Sequence, residues 1–168
     1  IVQDDKYLTS QPFGVFAYGS NDNGTPFMNN VEISYTDPTW KATITNQVST
    51  KYYWPNDPRT TINFYAYSPV CSTATMTQIL ADHQQLKCTV AHSDTNGFSL
   101  TGYVHSNMYV DFMVATPVKG ATYANPDANA NTETEEGSEG KVPMVFHHQM
   151  TQIVFNVKTK ENYGNNVH

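Results

Sequence analysis

Apolar residues in this chain come in short runs, and each run ends at a cluster of turn-forming residues. Phe13 to Tyr18 reads FGVFAY and is closed by SNDNGTP from Ser20 to Pro26. Val31 to Thr36, VEISYT, alternates apolar and polar side chains and stops at Asp37-Pro38. Trp40 to Thr45, WKATIT, alternates again, and Tyr52, Tyr53 and Trp54 run straight into Asn56-Asp57-Pro58. Runs this short cannot carry the apolar stripe of a packed helix, and their Val, Thr, Tyr and Phe content suits a pleated, half-buried surface. The Gly, Pro, Asn and Asp residues between them supply the backbone conformations that turns need.

Alternation assigns faces. In Thr61 to Tyr67, TINFYAY, the residues Ile62, Phe64 and Ala66 share one face while Tyr65 and Tyr67 share the other. Tyr109 to Thr116 sets Val110, Phe112 and Val114 on one side, and Ile153 to Thr159 does the same with Ile153, Phe155 and Val157. Leu86 to Ala91 and Val142 to His148 read as further strands. Thr77 to Lys87, TQILADHQQLK, is the one stretch whose spacing suggests a short helix. The pattern predicts an all-β chain of about 7–9 short strands in a two-sheet β-sandwich. A length of 168 residues suits one such domain, residues 1–168, rather than two.

Charge is sparse, 14% of residues, and uneven. Of the net charge of −6, the segment 121–141 holds −4, from Asp127, Glu133, Glu135, Glu136 and Glu139 against Lys141. That segment has no apolar pattern and is predicted to be a mobile acidic loop joining two strands, and deletion of its part from Asp127 to Glu139 is predicted to change stability little. Arg59 is the single arginine, and no basic cluster exists, which argues against a nucleic-acid partner. No stretch approaches the roughly 20 apolar residues of a membrane-spanning helix, and no signal peptide is present. A start at Ile1 and a finish soon after a strong strand read as the ends of a processed or trimmed chain. Cys71 and Cys88 are an even pair that an exported protein can oxidise, and equally two small thiols.

Signatures of chemistry are missing. His147 and His148 are adjacent and point to opposite faces of a strand, while His83, His92 and His105 lack ligand spacing, so all read as polar strand and loop residues. Asp22-Asn23-Gly24 lacks the closing glutamate of a calcium loop and reads as a plain turn. Asp111, inside an apolar strand, reads as a carboxylate bonded to loop backbone. Without a nucleophile elbow, phosphate loop or Cys-x-x-Cys pair, the chain is predicted to be non-enzymatic, with no catalytic residue, metal or cofactor. A secreted hydrolase built on Asp111 and the histidines is disfavoured by the missing motifs, and the leading alternative function is a surface glycan-binding module, with Trp40, Tyr52, Tyr53 and Trp54 as an aromatic platform. Against it stands the ordinary use of such rings as core filling.

Four blocks, taken in order, resemble the fimbrillin-like family of pilus subunits and adhesins. They are FGVFAY at Phe13 to Tyr18; Tyr53-Trp54-Pro55 followed by INFYAYSP at Ile62 to Pro69; VDFMVA at Val110 to Ala115; and VFHH at Val145 to His148 leading into IVFNVK at Ile153 to Lys158. The resemblance implies a transthyretin-like sandwich, the N-terminal domain of a longer subunit, with its usual second sandwich lying outside these residues. It implies export to the outer-membrane surface, a lipid anchor on the precursor, and incorporation into a fimbrium. It implies assembly with other pilus subunits, as a homo- or hetero-polymer, by strand exchange, and cell adhesion through a host protein or glycan receptor. Ile153, Phe155 and Val157 are the residues expected to line the strand-exchange groove.

Overall fold

A computed structural model describes residues 12–37, 39–42, 52–70, 78–79, 85–86, 89–101, 112–127 and 140–149. Its strands are β1 (Phe13–Gly19), β2 (Met28–Thr36), β3 (Thr39–Ala42), β4 (Ile62–Ser68), β5 (Gln78–Ile79), β6 (Gln85–Leu86), β7 (Thr89–Ser93), β8 (Gly97–Thr101), β9 (Met113–Ala115), β10 (Val118–Ala121) and β11 (Phe146–His148). The described residues contain no helix, and every strand pair is antiparallel. The chain is an all-β sandwich.

One seven-stranded sheet runs in the order β11-β9-β4-β1-β2-β3, with β10 also paired to β4. β9 and β10 lie along the same strand, β4: Val114 pairs with Tyr67 and Val118 with Phe64. The break between them falls at Thr116-Pro117, where proline has no amide hydrogen to give to a ladder. β7 and β8 form a separate hairpin, closed at Asn96-Gly97 with Gly97 at a φ of 75°.

The central strands are buried on both faces, which is why FGVFAY and INFYAY read as almost unbroken apolar runs. Phe13, Val15 and Ala17 of β1 join Ile62, Phe64 and Ala66 of β4 in one core. Phe16 and Tyr18 join Tyr65 and Tyr67 in the other. Over the first face lie Tyr52 and Trp54 from one loop and Val142 and Met144 from another. Over the second lie Val90 and Phe98 of the β7–β8 hairpin, with Phe112 and Val114 alongside. The predicted face assignments of Ile62, Phe64, Ala66, Tyr65 and Tyr67 hold.

The β1–β2 register slips: Val15 pairs with Val31 but Ala17 with Met28. The extra β2 residue is accommodated at Asn30, whose φ of 51° lies in the left-handed region that asparagine tolerates. Asn30 Oδ1 accepts a hydrogen bond from the Tyr67 hydroxyl at 2.6 Å.

Some expectations are corrected. Within Thr77 to Lys87 the structure has the two-residue strands β5 and β6, paired Gln78 to Leu86 and Ile79 to Gln85, where a helix was expected. Too few apolar positions repeat there to decide a period. Residues 142–145 are not strand; pairing starts at Phe146. The Asp22 turn is as expected, with the carboxylate accepting from Gly19 N–H at 2.8 Å. The ends of the 121–141 segment are built into the sandwich: Ala121 and Pro126 are buried, and Gly140 N–H donates to the Tyr123 carbonyl at 2.9 Å. Residues 128–139 lie outside the described residues, as do Cys71, Cys88, His83, His105 and Asp111.

Candidate functional site

The expected aromatic platform divides between two places. Trp40, on β3, packs against Phe13 with ring centroids 5.1 Å apart and against Tyr35 at 5.2 Å, both strongly tilted. Trp54 packs edge-on against Phe64 at 5.7 Å, and its indole N–H donates to the Gly140 carbonyl at 3.3 Å. Tyr52 sits edge-on to Phe27 at 5.6 Å. Tyr52 and Trp54 serve the first core, whereas Trp40, 40% exposed, lies over Phe13 at the sheet margin and Tyr53, 72% exposed, stands out into solvent. Tyr123, also exposed, meets Trp54 at 75°. Among the described residues no ring pair links Trp40 to Tyr52, Tyr53 or Trp54, so what the loop presents is a core plug with one outlying tyrosine. The expected groove residues Ile153, Phe155 and Val157 lie outside the described residues.

A polar-aromatic cluster absent from the expectations occurs where the β7–β8 hairpin meets β1 and β4. The half-buried His92 imidazole lies 4.1 Å from the Tyr65 ring, 4.6 Å from Phe98, 5.5 Å from Tyr18 and 5.6 Å from Phe16. The Tyr18 hydroxyl donates to the His92 carbonyl at 2.7 Å, and its oxygen lies 3.2 Å from His92 Nδ1. The Tyr65 hydroxyl donates to the Asp94 carboxylate, which also receives the Asn63 side-chain amide at 3.4 Å. Asn63 Oδ1 in turn accepts from Gly120 N–H at 2.9 Å, tying β10 into the same network.

Burial sets the protonation states. It pushes the His92 imidazole down to about 4, although the nearby Asp94 carboxylate pulls the other way. Burial, followed by the hydrogen bond to Asp94, raises the Tyr65 phenol, and burial, followed by the Asp94 charge, raises that of Tyr18. The cluster is therefore neutral at the imidazole and both phenols near pH 7, with one carboxylate at its rim. Sequence alone could point to Tyr18 and Tyr65, by alternation, as residues on one face. Nothing local marks His92 as their partner, 27 residues along the chain from Tyr65.

At the margins of the main sheet stand β3 and β11, both short. The exposed His147 on β11 has Nε2 within 2.9 Å of Thr116 Oγ1. Among the described residues no helix is long and apolar enough to cross a membrane.

This is an antiparallel β-sandwich in which the FGVFAY and INFYAY blocks form the two central strands and supply both cores. The chain belongs to the fimbrillin-like family, whose model matches residues 2–167. That membership supports the role of a pilus subunit of the cell surface that assembles with other subunits, in a family that is generally non-enzymatic. No curated protein and no solved structure matches the chain significantly.

Proposed function

We propose that the chain is a fimbrial subunit or adhesin of the outer-membrane surface that joins its neighbours by strand exchange. The observation that carries this reading is the family match across nearly the whole chain. An antiparallel sheet accepts a strand from another molecule through main-chain hydrogen bonds for affinity and alternate side-chain pockets for register. The apolar alternation of Ile153, Phe155 and Val157 has the period that such a groove needs. On this reading the residues form the N-terminal domain of a longer subunit with a lipid anchor on its precursor. Its partners are other subunits of the fimbrium and a host protein or glycan receptor.

The test is an unboiled denaturing gel of the full-length protein sheared from cells. A ladder of resistant multimers is expected, and Phe155→Asp should collapse it to monomer while the monomer stays folded. A single monomer band from the wild type would overturn the shaft-subunit role. A ladder that survives Phe155→Asp would remove the groove assignment alone.

A further inference from the structure

The β7–β8 hairpin is attached to the rest of the molecule in an unusual way. Its own ladder is complete, from Thr89–Thr101 to Ser93–Gly97. Among the described residues it shares no backbone ladder with the seven-stranded sheet. Side chains hold it: Val90 and Phe98 pack on the second core, His92 inserts among four aromatic rings, and Tyr18, Tyr65 and Asn63 reach out to His92 O and Asp94. Beneath it lie Phe16, Tyr18, Tyr65 and Tyr67, all at most 5% exposed.

We propose that the β7–β8 hairpin is an acid-released flap: docked on β1 and β4 at neutral pH, it lifts when His92 takes up a proton, while the main sheet stays paired.

Hydrogen bonding defines which nitrogen takes the proton. The Tyr18 hydroxyl hydrogen is committed to the His92 carbonyl, so its oxygen can only accept from Nδ1. The neutral ring therefore carries its hydrogen on Nδ1 and keeps a lone pair on Nε2, which has no hydrogen-bond partner among the described residues. A second proton goes to Nε2, to which no side chain or carbonyl among the described residues offers an acceptor. The titratable groups facing the imidazole are Tyr18 from β1, Tyr65 from β4 and Asp94 from the hairpin turn. Both phenols are neutral in this range, because their values are raised. Asp94 is the one countercharge, and its carboxylate already accepts from Tyr65 and Asn63 at the rim. Burial outweighs it, as the lowered value of about 4 shows.

The sign follows from linkage. A lifted hairpin returns His92 to its ordinary value of 6.5, so the open form binds protons more tightly than the docked form between those values. Docking therefore weakens as pH falls from about 6.5 to about 4. The gap caps the effect at roughly 300-fold, and screening of a half-exposed ring brings the expectation to roughly tenfold or more.

The experiment is NMR on the whole chain: titration of the His92 ring, with amide-exchange protection factors for the hairpin and for β1 and β4. From pH 7 to about pH 4, protection at Val90, His92 and Leu100 should fall roughly tenfold or more. Amides of the β1–β4 ladder should keep theirs. His92→Phe, which retains a ring but cannot be protonated, should abolish the fall. Three results would overturn the proposal: His92 titrating near 6.5 with flat hairpin protection, hairpin and sheet losing protection together, or His92→Phe falling as the wild type does. Should His92→Phe fail to fold, the wild-type titration and exchange profiles decide by themselves.

Discussion

Gly14→Ala is a demanding test of the second core, because strand propensity predicts the opposite sign. Glycine in a strand interior is normally a weakness, and alanine there should help slightly. Gly14 pairs with Tyr67 across β1 and β4, and the tyrosine ring lies directly over it. A Cβ added at Gly14 would stand 2.4 Å from Tyr67 Cε1, 2.7 Å from Cζ and 2.8 Å from Asn30 Oδ1. Ordinary contact starts near 3.4 Å, so the ring edge must retreat by about 1 Å. Tyr67 has nowhere to go: it is 0% exposed, with Phe98 at 5.6 Å and Phe112 at 5.9 Å from its centroid. Moving it also stretches the hydroxyl bond that holds Asn30 in the β2 bulge. Overpacking costs about 1–3 kcal/mol and the hydrogen bond about 1 kcal/mol, giving roughly 2–4 kcal/mol of destabilisation. For a domain of this size that is roughly 5–15 °C in melting temperature, readable by circular dichroism or calorimetry. Tyr67→Leu in the same chain should relieve part of the clash, so the double variant should be less destabilised than the two singles added. A Gly14→Ala protein that melts at or above the wild-type temperature would refute the ring-over-glycine argument.

Trp54→Ala should cost about 2–3 kcal/mol in urea denaturation, since the ring plugs the first core over Phe64 and bonds Gly140, whereas Tyr53→Ala should leave the midpoint where it was. Gly140→Ala should cost about 1–2 kcal/mol, because Gly140 has a φ of 71° and a Cβ there would meet Tyr123 at 2.9 Å; tryptophan fluorescence should report the disturbed Trp54. Asp57→Asn should not shift the melting temperature measurably: its pairing with Arg59 at 3.1 Å is solvent-exposed, although that pairing lowers the Asp57 pKa. Overall stability should decline by about 1–2 kcal/mol between pH 6.5 and pH 4, because the unfolded chain binds the His92 proton before the folded one does; His92→Phe should flatten that decline.

How much of this is written in the sequence depends on the range of the interaction responsible. The two-faced burial of β1 and β4 is legible, because alternation within INFYAY sorts Ile62, Phe64 and Ala66 from Tyr65 and Tyr67 without reference to any other strand. The Asp22 and Asn96-Gly97 turns are legible for the same local reason. Thr77 to Lys87 is not, since two-residue strands give a periodicity argument nothing to count. Asn30 gives no sign that it absorbs a bulge; that follows only from the offset between the Val15–Val31 and Ala17–Met28 pairs. The aromatic residues near Trp54 are visible as a group but their use is not, because whether a ring plugs a core or faces solvent is decided by Phe64, Phe27 and Gly140, remote in sequence. His92 is the extreme case: by itself it is one polar residue in a short strand, and its cage comes from β1, β4 and β8.

Burying β1 and β4 on both faces requires two covers, and the structure fastens them differently. On the first face the cover is tied through backbone as well as side chains: Gly140 donates to Tyr123 O and accepts from Trp54, and β11 continues the same segment into the sheet ladder. On the second face, among the described residues, the cover has no shared ladder and relies on an imidazole that must stay neutral. Local opening begins where the fewest backbone bonds cross, so the hairpin should open before the sheet. The face beneath it carries Phe16, Tyr65 and Tyr67, and uncovering it would present several aromatic side chains to water at once. A pilus subunit that exposes such a face outside its assembly invites aggregation. The hydrogen bonds from Tyr18 and Tyr65 to the hairpin are thus as much a guard against unwanted association as a source of stability, and their loss should be felt first as turbidity in acid, ahead of any loss of the main sheet.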